Sequence, residues 1–257
     1  MGNKKLIIAN WKCNPTSQKE AEHIFDVIRK KIVDFGLRKN IEIVICPPYV
    51  YLSSIKHQAS SIKLGAQDCF YEKKGAYTGE ISPLMLKDLG VKYVIIGHSE
   101  RRKYFGETDE IINKKMKAAL KVGFKPILCV GETLEGQKQG EGLNVLKRQI
   151  VTAFKNVSSF KFRTSGPIIA YEPVWAIGTG DACVPEDVLK IRLFIKKILM
   201  QLYSRAIAEK IKIIYGGSVN SKNAADYVKE AQVDGLLVGG ASLNAAEFIE
   251  IIKTVGN

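Results

Sequence analysis

The sequence contains no long hydrophobic run. None of its apolar segments approaches the about 18 consecutive residues that a membrane-spanning helix requires. The apolar run behind the first lysines, residues 6–9, is also too short for the core of a signal peptide. We therefore expect a cytoplasmic protein that does not bind or span a membrane.

Cysteine and histidine are scarce. The three histidines, His23, His57 and His98, show no spacing typical of metal ligands, so we expect no transition-metal site. The five cysteines are odd in number, widely spaced and without a CxxC pair: Cys13, Cys46, Cys69, Cys129 and Cys183. This pattern indicates free thiols in a reducing compartment rather than a disulfide framework.

Acidic residues are fewer than basic ones, 26 against 39, which gives a net charge of +13. The lysines alternate with apolar residues at helical spacing, as in "KKMKAALK", which predicts solvated helix faces rather than a stripe along a nucleic-acid backbone. No basic motif is interleaved with aromatic residues. We expect no nucleic-acid partner, whereas an anionic substrate is compatible with the charge.

Eight short runs rich in Ile and Val recur along the chain. Most are continuously apolar, which is typical of parallel strands buried on both faces. They lie at 6–10, 41–46, 62–66, 93–97, 126–130, 167–171, 211–215 and 235–239.

Amphipathic helical patterns separate these strands. They lie at 17–35, 108–123, 185–205, 221–232 and 245–255, with weaker ones at 51–59 and 82–89. Ser17 with Glu20 forms a capping box at the first. The alternation predicts an α/β fold with a parallel sheet, and eight units of about 30 residues predict a (β/α)8 barrel as a single domain over residues 1–257. The alternative is an open doubly wound sheet, but "GTGDAC" lacks the third glycine of a dinucleotide fingerprint.

Ionisable and glycine residues follow five of the predicted strands. They are Asn10 and Lys12 after the first strand, His98, Ser99 and Glu100 after the fourth, Glu172 after the sixth, Gly216, Gly217 and Ser218 after the seventh, and Gly239 and Gly240 after the eighth. Each alone has an ordinary structural explanation, such as a surface lysine or a tight turn. Together they predict an active site, because barrel enzymes react at the C-terminal ends of their strands.

The residue types at this rim indicate phosphate binding and proton transfer at carbon. Backbone N–H groups at glycine turns can bind a phosphate. A carboxylate can remove a proton bound to carbon, and a lysine and a histidine can stabilise the resulting oxyanion.

Several motifs resemble one family along essentially the whole chain. "NWK", "GAQD", "GAYTGEIS", "IIGHSERR", "CVGE", "AYEPVWAIGTG", "IIYGGSV" and "LVGGASL" are similar to the motifs of triosephosphate isomerases, in this order. The resemblance implies a TIM barrel that interconverts dihydroxyacetone phosphate and D-glyceraldehyde 3-phosphate through an enediolate. This reaction belongs to glycolysis and gluconeogenesis and uses no metal or organic cofactor. The alternatives are another barrel enzyme acting on a phosphorylated metabolite, or a dimeric barrel that binds without catalysis.

The resemblance also implies a role for each residue of the rim. Glu172 would be the base, His98 the neutral electrophile, and Lys12 a positive charge near the carbonyl and phosphate. Glu100 would orient Lys12 and assist proton transfer, and Ser99 would hold Glu172 away from the substrate while a lid is open. The substrate-binding residues would further include Asn10, Gly178, Ser218, Gly239 and Gly240.

The loop after Glu172 resembles the mobile lid of this family. Its apolar residues would exclude water from the bound intermediate. Pro173 would stiffen one hinge, and Tyr215 and Ser218 would latch the closed lid. The other hinge, Asp181–Cys183 followed by Val184, departs from the family pattern and places no hydroxyl at the expected start of a helix.

The segment 68–80 resembles the long third loop of the family, which inserts into a second subunit. Thr78 would reach the region of the partner subunit's Lys12. The resemblance therefore implies a homodimer through the loop around Thr78.

Overall fold

The chain forms a closed barrel of parallel strands in chain order. A computed structural model describes residues 4–36, 40–56, 62–159, 162, 166–177 and 182–256. The strands are β1 (Lys5–Asn10), β2 (Ile41–Cys46), β3 (Lys63–Ala66), β4 (Tyr93–Ile96), β5 (Lys125–Val130), β6 (Ile168–Tyr171), β7 (Lys212–Tyr215) and β8 (Gly235–Val238). The predicted (β/α)8 barrel is confirmed, and each predicted strand lies within one residue of an observed one.

Alternating side chains explain why the strands are apolar throughout. In β1, Leu6 and Ile8 belong to a cluster with residues of β2, β4, β5, β6, β7 and β8, which fills the barrel. Ile7 and Ala9 of the same strand pack in the other cluster, which includes the buried faces of the helices. Both faces are therefore removed from water, which is the cause of the continuous runs.

Eleven α-helices lie within the described residues. They are α1 (Gln18–Asp34), α2 (Tyr49–Lys56), α3 (Pro83–Asp88), α4 (Ser99–Phe105), α5 (Asp109–Val122), α6 (Leu134–Lys138), α7 (Gly142–Ala153), α8 (Pro185–Leu202), α9 (Arg205–Ala208), α10 (Ala224–Lys229) and α11 (Ala245–Gly256). The predicted capping residue Ser17 accepts from the Glu20 N–H at 3.3 Å. None of the described helices is long and apolar enough to cross a membrane.

Two helices between β5 and β6 were missed by the sequence prediction. Of these, α7 has no side-chain hydrogen bond at its N-cap, Glu141, and no acidic residue in its first turn. It also begins at a glycine, so it carries none of the usual signals of a helix start. The predicted helix 221–232 is shorter, Ala224–Lys229, and residues 57–59 of the weak helix 51–59 lie outside the described residues.

Helix α8 begins without a side-chain cap. Val184 is the N-cap of α8, and no side-chain hydrogen bond is made there. Val184→Thr is expected to raise the free energy of unfolding by about 1 kcal/mol, because a hydroxyl at the N-cap can accept from an N–H of the first turn. Urea denaturation measures the change. The control is Val151→Thr, an exposed valine within α7 that offers no cap; an equal gain there, or no gain at position 184, would contradict the prediction.

Candidate active site

A cavity of about 250 Å³ opens at the C-terminal rim of the barrel. Seven of the predicted site residues line it: Asn10, Lys12, His98, Glu172, Ser218, Gly239 and Gly240. Glu100 lies behind Lys12, with which it forms an ion pair. Gly178, the remaining predicted residue, lies outside the described residues. The parallel strands thus bring together residues that are up to 230 positions apart in sequence.

Glu172 follows β6 and is only 3% exposed. Its Oε1 lies 3.8 Å from His98 Nε2, and its Oε2 has no hydrogen-bond partner among the described residues. Burial raises the pKa of Glu172, although the neighbouring His98 and the thiol of Cys129 oppose the shift. A desolvated carboxylate is a stronger base than one in water, which suits proton abstraction.

His98 connects β4 to α4 and is fixed in one orientation. Its Nδ1 accepts from the Glu100 N–H at 3.2 Å as the N-cap of α4. With Nδ1 occupied as an acceptor, Nε2 is the ring nitrogen that faces Glu172 and the cavity. A neutral imidazole with its N–H at Nε2 can polarise a carbonyl oxygen in the cavity.

Lys12 is held over the cavity by its backbone. It adopts the left-handed conformation, with φ of 54°, which is rare for a residue with a side chain. Its N–H donates to Asn10 Oδ1 at 3.1 Å, and its carbonyl accepts from Gln67 Nε2 at 2.8 Å. Its ammonium forms a 2.7 Å ion pair with Glu100 Oε1. These bonds compensate for the backbone strain and aim the charge across the rim.

The glycine pair after β7 is required by close packing. A Cβ at Gly216 would lie 2.8 Å from Glu172 Cγ, and one at Gly217 would lie 2.0 Å from the Tyr215 hydroxyl. Only glycine therefore leaves room for the carboxylate and the phenol. The sequence alone predicts only turns or phosphate ligands at these glycines.

The lid segment, defined as residues 173–184, is tied to the barrel on both sides of its four undescribed residues, 178–181, which include Asp181. On one side, Trp175 Nε1 donates to Glu132 Oε1 at 3.1 Å, and Ser218 Oγ donates to the Ala176 carbonyl at 2.7 Å. On the other, the Cys183 N–H donates to the Tyr215 hydroxyl at 3.1 Å. Tyr215 and Ser218, the predicted latch residues, thus both contact the lid segment.

Several residues at the site escaped the sequence analysis. Val219, Asn220, Leu237 and Ala241 also line the cavity, as does Ile177 of the lid segment. These side chains are apolar or uncharged, so no ionisable group marked them. Ser99 lies beside Glu172 in a separate cavity of about 10 Å³.

A buried ionic cluster holds α4 through its residue Arg101. Lys115 Nζ lies 2.5 Å from both Asp68 Oδ2 and Glu107 Oε1, and Arg101 Nε lies 3.0 Å and 2.5 Å from the same two oxygens. Burial raises the pKa of Asp68 to about 6, against the charges of Lys115 and Arg101. Because Arg101 follows Glu100 in α4, the cluster fixes the helix that positions both Glu100 and His98.

Comparison with known proteins agrees with this geometry. The family described as "Triosephosphate isomerase" matches residues 5–255. The triosephosphate isomerase of Dictyoglomus thermophilum is 46% identical over 253 residues, which cover 98% of this chain and 99% of the relative. The triosephosphate isomerase of Aquifex aeolicus is 45% identical over 251 residues, which cover 97% of this chain and 98% of the relative. That of Alkaliphilus oremlandii is 44% identical over 252 residues, which cover 97% of this chain and 99% of the relative. The chain therefore belongs to the triosephosphate isomerase family.

Proposed function

We propose that the rim cavity is the site at which this chain interconverts dihydroxyacetone phosphate and D-glyceraldehyde 3-phosphate. The isomerase activity follows from the family, and the assignment of roles to residues is the proposal. The observation that carries it is the placement of a buried carboxylate, Glu172, 3.8 Å from the Nε2 of the His98 imidazole in a cavity that Lys12 also lines.

In the proposed reaction, Glu172 removes a proton from one carbon of the substrate and returns it to the neighbouring carbon. The carbonyl oxygen gains charge as the enediolate forms, and His98 Nε2 and the Lys12 ammonium stabilise it. Glu100 holds the ammonium through the 2.7 Å ion pair. Asn10 supports Lys12 by accepting its backbone N–H.

The phosphate group is proposed to bind at the turns after β7 and β8. Ser218, Gly239 and Gly240 line this side of the cavity, and a Cβ on Gly239 would lie only 3.6 Å from Lys12 Cε. Backbone N–H groups there, together with Gly178 of the lid segment, would bind the dianion, and Lys12 would supply positive charge.

We further propose that the lid segment closes over the phosphate, with Ser99 holding Glu172 in the open form, and that the chain acts in the cytoplasm as a homodimer. Thr78 lies in a loop whose residues 72–80 are all exposed, which suits insertion into a second copy. Exposed apolar side chains on α3 and α4 support an interface: Met85, Tyr104 and Phe105.

Two lysines at opposite ends of β1 test the proposed site. Lys12→Met is expected to lower kcat/KM for glyceraldehyde 3-phosphate by about 10²–10³, the usual effect of removing one group that stabilises an oxyanion. Lys5→Met is the matched control, because Lys5 lies at the far end of the barrel, where its ammonium donates to the Val233 carbonyl at 2.8 Å. Its activity should be that of the wild type.

Both variants are compared with the wild type in a coupled isomerase assay, with circular dichroism to confirm folding. A folded wild type without activity would refute the proposed function and favour a barrel that only binds. Equal losses in the two lysine variants would refute the assignment of the site to the C-terminal rim.

A further inference from the structure

Two stacked tyrosines hold one residue of the lid segment. The Cys183 N–H donates to the Tyr215 hydroxyl at 3.1 Å, and the Tyr227 hydroxyl donates to the Cys183 carbonyl at 2.8 Å. The two rings lie with their centroids 4.1 Å apart. Both backbone polar groups of Cys183 are therefore bound by phenol side chains, one from the end of β7 and the other from α10.

These contacts are shielded from water. Tyr215 is fully buried, Tyr227 is 1% exposed and Cys183 is 4% exposed. Burial raises the pKa of both phenols, so both hydroxyls keep their protons at neutral pH. A buried hydroxyl or carbonyl that loses its partner has no water to replace it, so each bond constrains the position of the chain.

After Cys183, the described hinge is held by the Val184 carbonyl, which accepts from the Asp187 and Val188 N–H groups of α8 at 3.1 and 3.2 Å. Val184, the next residue, makes no side-chain hydrogen bond as the N-cap of α8, and it is 56% exposed. The direction in which the lid segment enters α8 is therefore set largely at Cys183. The far side of the lid segment is held independently, by Ser218 and Glu132.

We propose that Tyr227 is a positioning residue for the lid. Its hydroxyl fixes the Cys183 carbonyl, and its ring holds Tyr215 where that hydroxyl accepts from the Cys183 N–H. Tyr227 thus fixes the end of the lid segment that enters α8, although Tyr227 itself does not line the cavity. This inference rests on the proposed function, since it assigns Tyr227 a part in retaining the enediolate.

The test compares two tyrosine-to-phenylalanine variants. Tyr227→Phe removes the hydroxyl at the hinge. Tyr203→Phe is the matched control, because the Tyr203 hydroxyl also donates to a backbone carbonyl, that of Val157, at 2.9 Å, but away from the lid segment and the cavity. Both variants retain their ring and lose one hydrogen bond to the main chain.

In the activity assay, Tyr227→Phe is expected to lower kcat/KM roughly three- to ten-fold, the effect of one hydrogen bond. The fraction of turnovers that release inorganic phosphate should rise, because a less stable lid lets the enediolate eliminate phosphate. Tyr203→Phe should leave both quantities unchanged. A purely structural role of Tyr227 would lower the melting temperature without changing the phosphate released per turnover.

A second measurement needs no substrate. In a Cys13→Ser background, which removes the one exposed cysteine of the described residues, the labelling of Cys183 by a thiol reagent reports opening of the hinge. Cys129, buried in the barrel, is the internal reference for global unfolding. Tyr227→Phe should accelerate the labelling of Cys183 relative to Cys129 several-fold, and Tyr203→Phe should not.

Equal behaviour of the two variants in labelling would overturn the role of Tyr227. An inactive wild type would overturn the proposed function instead, and the labelling rates would still decide whether Tyr227 holds the hinge. Faster labelling with unchanged phosphate release would overturn the link between the hinge and retention of the intermediate.

Discussion

Glu172→Gln is expected to lower kcat by about 10²–10⁴, the contribution of a positioned general base, with KM little changed. The amide has nearly the same shape as the carboxylate but cannot accept the proton. The matched control is Glu42→Gln, since Glu42 is a carboxylate on β2 that accepts from the Tyr93 hydroxyl at 2.6 Å and does not line the cavity. A Glu172→Gln enzyme with more than a tenth of wild-type kcat would rule out Glu172 as the base.

The same substitution is expected to stabilise the fold at neutral pH. Burial raises the pKa of Glu172 above its ordinary value of 4.5, so the folded chain binds more protons than the unfolded chain between these two values. Wild-type stability therefore falls as the pH rises through this window, whereas glutamine does not titrate. Urea denaturation should show Glu172→Gln to be more stable than the wild type at pH 7, and this advantage should vanish below pH 4.5.

Lys115→Met is expected to cause the largest loss of stability, about 3–5 kcal/mol, because it leaves two buried carboxylates with Arg101 as their remaining cation. For a chain of this size the melting temperature should fall by about 6–20 °C. The control is Lys121→Met, on the exposed face of α5. A loss at position 115 no larger than that at position 121 would show that the cluster contributes little.

The loss at Lys115 should depend on pH. Without the ammonium, the pKa of Asp68 rises further above about 6, so the folded variant takes up a proton more readily than the unfolded chain does. The variant should therefore lose less stability at pH 5 than at pH 8. Asp68→Asn, added to Lys115→Met, should restore part of the stability at pH 8, and no restoration would contradict the electrostatic explanation.

The strands and the rim residues can be predicted from the sequence because each is marked by a short local pattern. A continuous apolar run predicts a buried strand, and parallel order places every strand end at one rim, so the sequence alone predicts that Lys12, His98 and Glu172 lie together. α7 was not readable, because its start carries neither a cap nor an acid and tertiary packing alone selects it.

The contacts that support the site cannot be predicted from the sequence either. Nothing in "ADYVKE" shows that Tyr227 reaches a carbonyl 44 positions earlier, and nothing in "GETD" shows that Glu107 shares Lys115 with Asp68. Such contacts depend on how helices are seated against the barrel. The local sequence pattern does not predict how each helix packs against the barrel.

A side chain at position 217 would clash with the Tyr215 ring, since a Cβ there would lie 2.0 Å from the phenol oxygen. Position 217 can therefore gain a side chain only if the Tyr215 phenol moves or is lost. A single mutation at Gly217 must displace the ring, and with it the contact that holds Cys183. In a library of point mutants, position 217 should tolerate larger residues only where position 215 has already lost its phenol, which is epistasis with a steric cause.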